Sequence, residues 1–199
     1  VLFNNGAYAQ PGAVEDLTRD TLRKQFETNL FGWHELTTLV VPVMRKQGSG
    51  RIIQNSSILG FIALKHRGAY VASKFALEGL TDTLRLELEG TGIHVVLIEP
   101  GPILTKMRPN SLKVFEKNIN VEASVHRPHY EKTLARLRKQ GAAQPFTLPA
   151  SAVTKRVIHA IESPVPQIRY PVTFPTYLFA VLTRVLPDRL LDRLLTKAS

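Results

Sequence analysis

Several features that define whole classes of protein are missing from this sequence. Its 199 residues include no cysteine, which excludes disulfides and thiolate metal sites and fits a reducing compartment. No apolar run approaches the ~18–20 residues needed to cross a bilayer. No long tract is polar or low in complexity, which argues against disorder. A chain that is 44% hydrophobic can instead form one core, so we expect a single globular domain over residues 1–199, in the cytoplasm.

Acidic residues are scarce relative to basic ones, and the formal net charge is +10. An excess of positive charge can indicate a protein that binds nucleic acid or an anionic membrane. The lysines and arginines are scattered, however, and neither a zinc-finger spacing nor an aromatic RNA-binding strand is present. No histidine has further ligands at metal-binding spacing. We therefore predict a solvated basic surface, with no nucleic-acid partner and no metal site.

Apolar runs alternate with helical periodicity along the first half of the chain. Short β-rich runs predict strands at 1–3, 51–55 and 93–98, and long periodic segments predict helices over about 18–46 and 69–88. This alternation indicates a parallel α/β sheet with crossover connections. Beyond Thr105 the pattern weakens, and we predict helices and one short strand at 111–118, 129–140, 150–162, 167–170 and 174–195, the last interrupted by Pro187.

Tyr70 and Lys74 lie four residues apart in the second long helix, so their side chains share one face. An ammonium beside a tyrosine stabilises the phenolate and should bring its pKa towards neutral pH. Ser57 follows the strand at 51–55, at the carboxyl edge where open α/β sheets place their ligands. Pro100-Gly101 and Asn4-Asn5 end neighbouring strands at that edge. The pattern predicts a site for acid–base chemistry there.

These residues resemble the motifs of the short-chain dehydrogenase/reductase superfamily, in order and at family spacing over residues 1–105. The Tyr-x-x-x-Lys motif is present as Tyr70-Val71-Ala72-Ser73-Lys74. Asn55-Ser56-Ser57 is similar to the serine motif, with Ser57 at the usual 13 residues before Tyr70. Glu27-Thr28-Asn29-Leu30 resembles the segment with the family's helix asparagine, and Pro100-Gly101-Pro102-Ile103-Leu104-Thr105 the segment lining the nicotinamide site.

The resemblance implies the C-terminal part of a doubly wound, Rossmann-like parallel sheet. It implies a catalytic core over 1–105, a substrate loop region over 106–147, and a C-terminal part over 148–199 with a helix, a short strand and apolar helices. The implied cofactor is NADP or NAD. The implied catalytic residues are Asn29, Ser57, Tyr70 and Lys74, and the implied cofactor contacts are Asn4, Asn5, Gly6, Tyr70, Lys74, Pro100, Gly101, Ile103 and Thr105.

The sequence departs from the family pattern in two places. The family's Asn-Asn-Ala-Gly turn is present as Asn4-Asn5-Gly6-Ala7, with glycine and alanine exchanged. The strand, glycine-rich turn and helix that hold the cofactor pyrophosphate in this family are absent. We therefore expect a chain truncated by about three βα units, with its first strand at an open sheet edge.

Apolar residues on both sides of the expected site predict the substrate class. Leu104, Met107, Leu112, Val114 and Phe115 follow the site, and Phe61, Ile62 and Leu64 lie between Ser57 and Tyr70. They favour an apolar alcohol or carbonyl compound, such as a long-chain aldehyde, a retinoid or a steroid-like ketone, and the chain resembles the retinol/hydroxysteroid dehydrogenase-like branch. The segment Lys65-His66-Arg67 could instead contact an acidic substrate, although a solvated loop is the favoured interpretation. The alternative is a non-catalytic truncated homologue that serves as an interaction module.

Two further expectations concern partners. The amphipathic C-terminal helix could cover the substrate pocket as a lid, pack on a partner subunit, or contact a membrane surface peripherally. The two long helices form the dimer interface in many family members, so we expect a homodimer when the protein is intact. Trp33, Leu36 and Val40 on the first helix, and Phe75, Leu80 and Leu84 on the second, are the candidate contacts.

Overall fold

A four-stranded parallel sheet forms the centre of the computed structural model, which describes residues 1–198. Its strands stand in the order β1 (Leu2–Asn4), β2 (Gly50–Asn55), β3 (Ile93–Glu99) and β6 (Arg169–Pro171). Every neighbouring pair is parallel, as the alternating pattern predicted. β1 lies at one edge of the sheet in residues 1–198.

Successive side chains of the central strands point to opposite faces of the sheet, and each face is covered by a layer of helices. Ile52 and Val95 pack on one face against α2 (Gly32–Gln47) and α3 (Gly68–Glu87). Their neighbours Ile53 and Val96 point to the opposite face. There they pack against α6 (Ser151–Glu162). Since both faces are covered, the fold is a Rossmann-like α/β sheet, as expected.

The predicted helix over 18–46 is interrupted in the structure. α1 (Arg19–Phe26) begins at Thr18, whose side chain accepts a hydrogen bond from the Thr21 amide. A π-helical turn at Glu27–Phe31 then leads into α2. Short π-helical turns inside α-helices occur often at functional sites. This one carries Asn29, and hydrophobic periodicity does not reveal it.

The residues after Thr105 are more helical than predicted. α4 (Met107–Asn118) and α5 (Arg127–Arg138) pack around Phe115 and Tyr130, which are fully buried. Two short strands that were not predicted flank this segment. They are β4 (Ile103–Leu104) and β5 (Leu148–Pro149), and they pair in parallel with each other.

The apolar C-terminal segment folds as α7 (Phe174–Val185) and α8 (Asp188–Ala198), separated at Pro187. α8 packs through Leu191 and Leu195 against Tyr70 and its apolar neighbours. The outer face of α7 remains apolar and exposed, with Val181 and Val185 more than half accessible. In residues 1–198, no helix has both the length and the apolar character needed to cross a membrane.

Candidate active site

Strands β1, β2 and β3 end at one edge of the sheet, and a cavity of about 860 Å³ opens above that edge. Ser57, Tyr70 and Lys74 all line it, although they come from a loop and from α3. Three of the four residues implied to be catalytic therefore face one space. Most of the remaining wall is apolar.

Tyr70 lies in the first turn of α3 and is 6% exposed. Burial raises the pKa of its phenol to about 12, because an apolar surrounding disfavours the phenolate. A hydrogen bond with Ser57 and the charge of Arg67 act in the opposite direction but do not outweigh burial. The expectation that Lys74 brings this pKa towards neutral is therefore wrong.

Lys74 is held at a fixed position one turn after Tyr70. Its Nζ donates a 2.7 Å hydrogen bond to the Asn55 backbone oxygen and lies 4.3 Å from the centroid of the Trp33 ring. Burial lowers its pKa to about 7, against the opposing effect of the Glu78 charge. An amine at this pKa changes its charge near neutral pH, which suits a proton-transfer site.

Ser57 lies two residues after the end of β2 and caps a short 3-10 turn, Ile58–Gly60. Its Oγ accepts a hydrogen bond from the Leu59 amide at 3.1 Å and lies 3.4 Å from the Pro100 carbonyl oxygen. The hydroxyl is therefore fixed by the local backbone, while its hydrogen bond with Tyr70 connects it to α3.

Asn29 is fully buried in the π-helical turn and does not line the cavity. Its amide nitrogen donates to the Tyr8 carbonyl oxygen at 3.0 Å and to Ser73 Oγ at 3.2 Å, and its Oδ1 accepts from the Tyr8 amide. It thus connects the loop after β1 to α3 beside Lys74. No direct hydrogen bond joins Asn29 to Lys74 in residues 1–198.

The residues implied to contact the cofactor divide into two groups. Those that line the cavity are Asn5, Tyr70, Lys74, Pro100, Gly101, Ile103 and Thr105. Asn4 instead donates hydrogen bonds within the protein, to Gln54 Oε1 and Thr37 Oγ1. Gly6 lies off the cavity and accepts a hydrogen bond from Trp33 through its carbonyl oxygen.

The exchanged turn residues are accommodated without strain. Neither Gly6 nor Ala7 has a positive φ, and a Cβ added at Gly6 would meet no atom within 4 Å. Gly101 is different, because a Cβ there would clash with the hydroxyls of Thr173 and Thr176 at the start of α7. A glycine is needed at position 101 so that α7 can approach this edge.

Some residues of the expected substrate wall lie elsewhere. Ile62, Leu64 and Met107 line the cavity, whereas Phe115 is buried between α4 and α5. Three arginines also line it, Arg67, Arg108 and Arg136; sequence reasoning considered Arg67 and missed Arg108 and Arg136. The sequence position of Arg67, one helical turn before Tyr70, indicates that its side chain lies near the site.

A parallel α/β sheet with a serine, a tyrosine and a lysine at its carboxyl edge has the architecture of a dehydrogenase. Residues 1–114 match the model of the short chain dehydrogenase family. The chain belongs to this family, and the family resemblance is confirmed.

Characterised and uncharacterised relatives agree with this assignment. The chain is 41% identical over 194 residues to "Uncharacterized oxidoreductase YbbO" of Escherichia coli (strain K12), covering 98% of this chain and 66% of that protein. It is 30% identical over 201 residues to "NADPH-dependent 3-dehydrocapnine reductase" of Ornithobacterium rhinotracheale, covering 99% and 69%. A solved short-chain dehydrogenase/reductase of Burkholderia phymatum in complex with NAD superposes with a TM-score of 0.71 at 25% identity, covering 90% and 63%. The chain thus spans about two thirds of the length of these proteins.

Proposed function

We propose that the protein is an oxidoreductase that transfers a hydride between a nicotinamide cofactor and an apolar alcohol or carbonyl compound. The observation that carries this proposal is the convergence of Ser57, Tyr70 and Lys74 on one largely apolar cavity. Acid–base chemistry on a carbonyl oxygen needs a proton donor, a group that orients the oxygen and a nearby titrating group. The three side chains are suited to these roles.

The polar groups at the sheet edge fit the ribose and nicotinamide end of NADP or NAD. Lys74 has three N–H donors, and within residues 1–198 its hydrogen bonding involves the Asn55 carbonyl oxygen. The buried Asn55 Oδ1 has no partner in the part of the chain that the structure describes. Free donors beside an unpaired acceptor match the hydroxyls of a ribose. Asn5, Pro100, Gly101, Ile103 and Thr105 would complete the wall, and Asn4 and Gly6 would act only by shaping the turn. The cofactor itself supplies or accepts the hydride.

The protein's own contribution is to place and supply the proton. A phenol with a pKa of about 12 is protonated at neutral pH, so Tyr70 is ready to protonate a carbonyl oxygen as it gains the hydride. Ser57 holds that oxygen in line. The phenolate left on Tyr70 regains a proton through Lys74, whose pKa of about 7 allows exchange at neutral pH. Asn29 positions the loop after β1 beside Lys74 and, through bound water, continues this path to solvent. A protonated Tyr70 and a titrating Lys74 favour reduction of the carbonyl compound over oxidation of the alcohol.

The substrate is proposed to be largely apolar. Leu195 of α8 packs beside Tyr70, Leu59 and Ile62, which supports a role of the C-terminal segment as a lid over the cavity. A long-chain aldehyde, a retinoid or a steroid-like ketone matches such a wall. The relative named as a 3-dehydrocapnine reductase is NADPH-dependent, which supports NADP and the direction of reduction by analogy.

A non-catalytic interaction module is the less favoured alternative. A chain selected only for binding a partner has no need of a buried lysine, which is costly without a chemical role. The intact set of Asn29, Ser57, Tyr70 and Lys74 therefore argues for catalysis.

Replacing Tyr70 in the full-length protein tests the proposal. Tyr70→Phe removes the proton donor and should reduce turnover of decanal with NADPH by about 10²–10⁴-fold. Tyr177→Phe is the matched control, since Tyr177 is exposed on α7 and accepts a hydrogen bond from Arg156 there. Calorimetric binding of NADPH should be nearly the same in all three proteins. Wild-type turnover in the Tyr70→Phe variant would refute the assigned mechanism.

A further inference from the structure

The charged residues on the cavity wall are all cationic. Within residues 1–198, the wall includes Arg67, Lys74, Arg108 and Arg136 and contains no aspartate or glutamate. Lys74 belongs to the site already described. The three arginines come from different elements, and their charges require a separate explanation in a wall that is otherwise largely apolar.

Arg67 stands at the beginning of α3, one turn before Tyr70, and is partly buried. Burial, followed by the neighbouring charge of Arg136, lowers the pKa of its guanidinium to about 10. No hydrogen bond or ion pair of this guanidinium is found in residues 1–198. Among the described residues, the effect that raises this pKa comes from Tyr70, which is neutral at physiological pH.

Arg136 approaches Arg67 from α5 and is also partly buried. Burial lowers its pKa, and the charge of Arg108 adds to that effect. Within the described residues its guanidinium, too, has neither an ion pair nor a hydrogen bond. Two residues further along α5, Arg138 pairs with Glu116 on the surface at 3.0 Å. The helix therefore has an acidic partner for its outward arginine and none for its inward one.

Arg108 completes the arrangement from α4. Its guanidinium donates to the carbonyl oxygens of Lys139, at 2.7 Å, and of Gly141. These bonds fix the chain just after α5 and so fix the direction in which Arg136 approaches the cavity. Neutral carbonyl groups do not cancel the charge of Arg108. Within the described residues, the positive charges of Arg67, Arg108 and Arg136 therefore all lack an acidic partner.

We propose that Arg67 and Arg136 bind an anionic group, a carboxylate or a similar oxyanion, on the apolar substrate. The inference rests on the proposed function and narrows its substrate class to carbonyl compounds that also carry an acidic group. Partly buried, mutually repelling guanidiniums are costly without a counter-ion, and an arginine pair binds a carboxylate through charge-assisted, often bidentate hydrogen bonds. The proximity of Arg67 to Tyr70 places the acidic group on the same side of the cavity as the reacting carbonyl.

Calorimetry with simple probes tests the site without any catalysis. The full-length protein should bind decanoate and 1-decanesulfonate at least tenfold more tightly than the neutral 1-decanol. Arg67→Gln and Arg136→Gln should each weaken decanoate binding about tenfold or more while changing 1-decanol binding little. Arg138→Gln, on the same helix but outside the cavity, should leave both affinities unchanged. Equal affinity for decanoate and 1-decanol, or equal losses in the Arg138 variant, would overturn the proposal.

A kinetic comparison separates this inference from the proposed function. If both hold, 5-oxodecanoate, whose carboxylate and ketone are separated by about one helical turn, should be reduced with a higher kcat/KM than its methyl ester, and this preference should fall about tenfold in either arginine variant. Reduction of both compounds without preference would refute the anion site and leave the oxidoreductase proposal standing. Tight decanoate binding with no reduction of any carbonyl compound would refute the oxidoreductase and support the anion site alone. If the two variants instead weaken only NADPH binding, the arginines serve a cofactor phosphate and the substrate site is refuted.

Discussion

Arg169 lies between three carboxylates that belong to two other elements. From β6 it forms ion pairs with Glu78 and Asp82 of α3 and with Glu99 at the end of β3, the last two at 2.6 Å. The Glu78 side chain is 9% exposed and that of Glu99 is 3% exposed, whereas Asp82 is 38% exposed. One guanidinium thus holds the helix of Tyr70 and Lys74 against the strand that ends in Pro100-Gly101.

Arg169→Met keeps an apolar stem of similar length and removes the charge. Removing one partner of a buried ion pair costs about 3–5 kcal/mol, because the other charge is left unpaired. The exposed Asp82 contact adds less than about 1 kcal/mol. Arg169 is itself 29% exposed, so water will partly screen the loss and the lower end applies, about 3 kcal/mol. For a chain of this length, that corresponds to a decrease in Tm of about 6–12 °C.

The loss should also depend on pH. Burial, followed by the charge of Glu99, already raises the pKa of Glu78 to about 7, and burial raises that of Glu99. A carboxyl group whose pKa is raised on folding costs no stability below its unfolded pKa and progressively more as pH rises towards the folded value. Without Arg169 both pKa values rise further, so the decrease in Tm should be larger at pH 8 than at pH 5.

Differential scanning calorimetry at both pH values measures these effects. Arg138→Gln is the control, because it breaks an exposed arginine–glutamate pair and should lower Tm only slightly. The double variant Arg169→Met/Glu78→Gln should be more stable at pH 8 than Arg169→Met alone, because it lacks the unpaired charge of Glu78. A decrease in Tm at pH 8 no greater than that of the Arg138 control, or one that is the same at pH 5, would refute the reasoning.

Four more outcomes are expected. Because the pKa of Tyr70 is about 12, alcohol oxidation should rise about tenfold per pH unit from pH 7 to 9, and a flat stopped-flow profile would contradict the proton role. Residues 1–199 alone should bind NADPH poorly, since no glycine-rich pyrophosphate turn is present; micromolar binding by calorimetry would be inconsistent with this. Leu36, Phe75 and Leu80 are exposed whereas Trp33 packs inward, so we expect a homodimer through the former; a monomer by light scattering at micromolar concentration would argue against it. Deleting residues 174–199 should lower activity on apolar substrates if α7 and α8 form a lid, and anionic-liposome co-sedimentation that depends on this segment would instead indicate peripheral membrane contact.

Local sequence determined the parts of this protein that depend on periodicity. The strands at β2 and β3 follow from apolar runs, and the shared face of Tyr70 and Lys74 follows from 3.6 residues per turn. Motif spacing was sufficient for the family, which the match over residues 1–114 confirms. Each of these features involves residues close together in the chain, where backbone geometry sets the distances.

Tertiary structure alone decided the properties that depend on burial and on distant neighbours. Spacing predicted a lowered pKa for Tyr70, but the surrounding apolar side chains raise it to about 12. The π-helical turn at Asn29 has no periodic signature, and the pair Arg67 and Arg136 lies 69 residues apart in the sequence. The pKa values and partners of ionisable groups depend on the environment that folding creates. The pattern of residue types along the chain does not predict that environment.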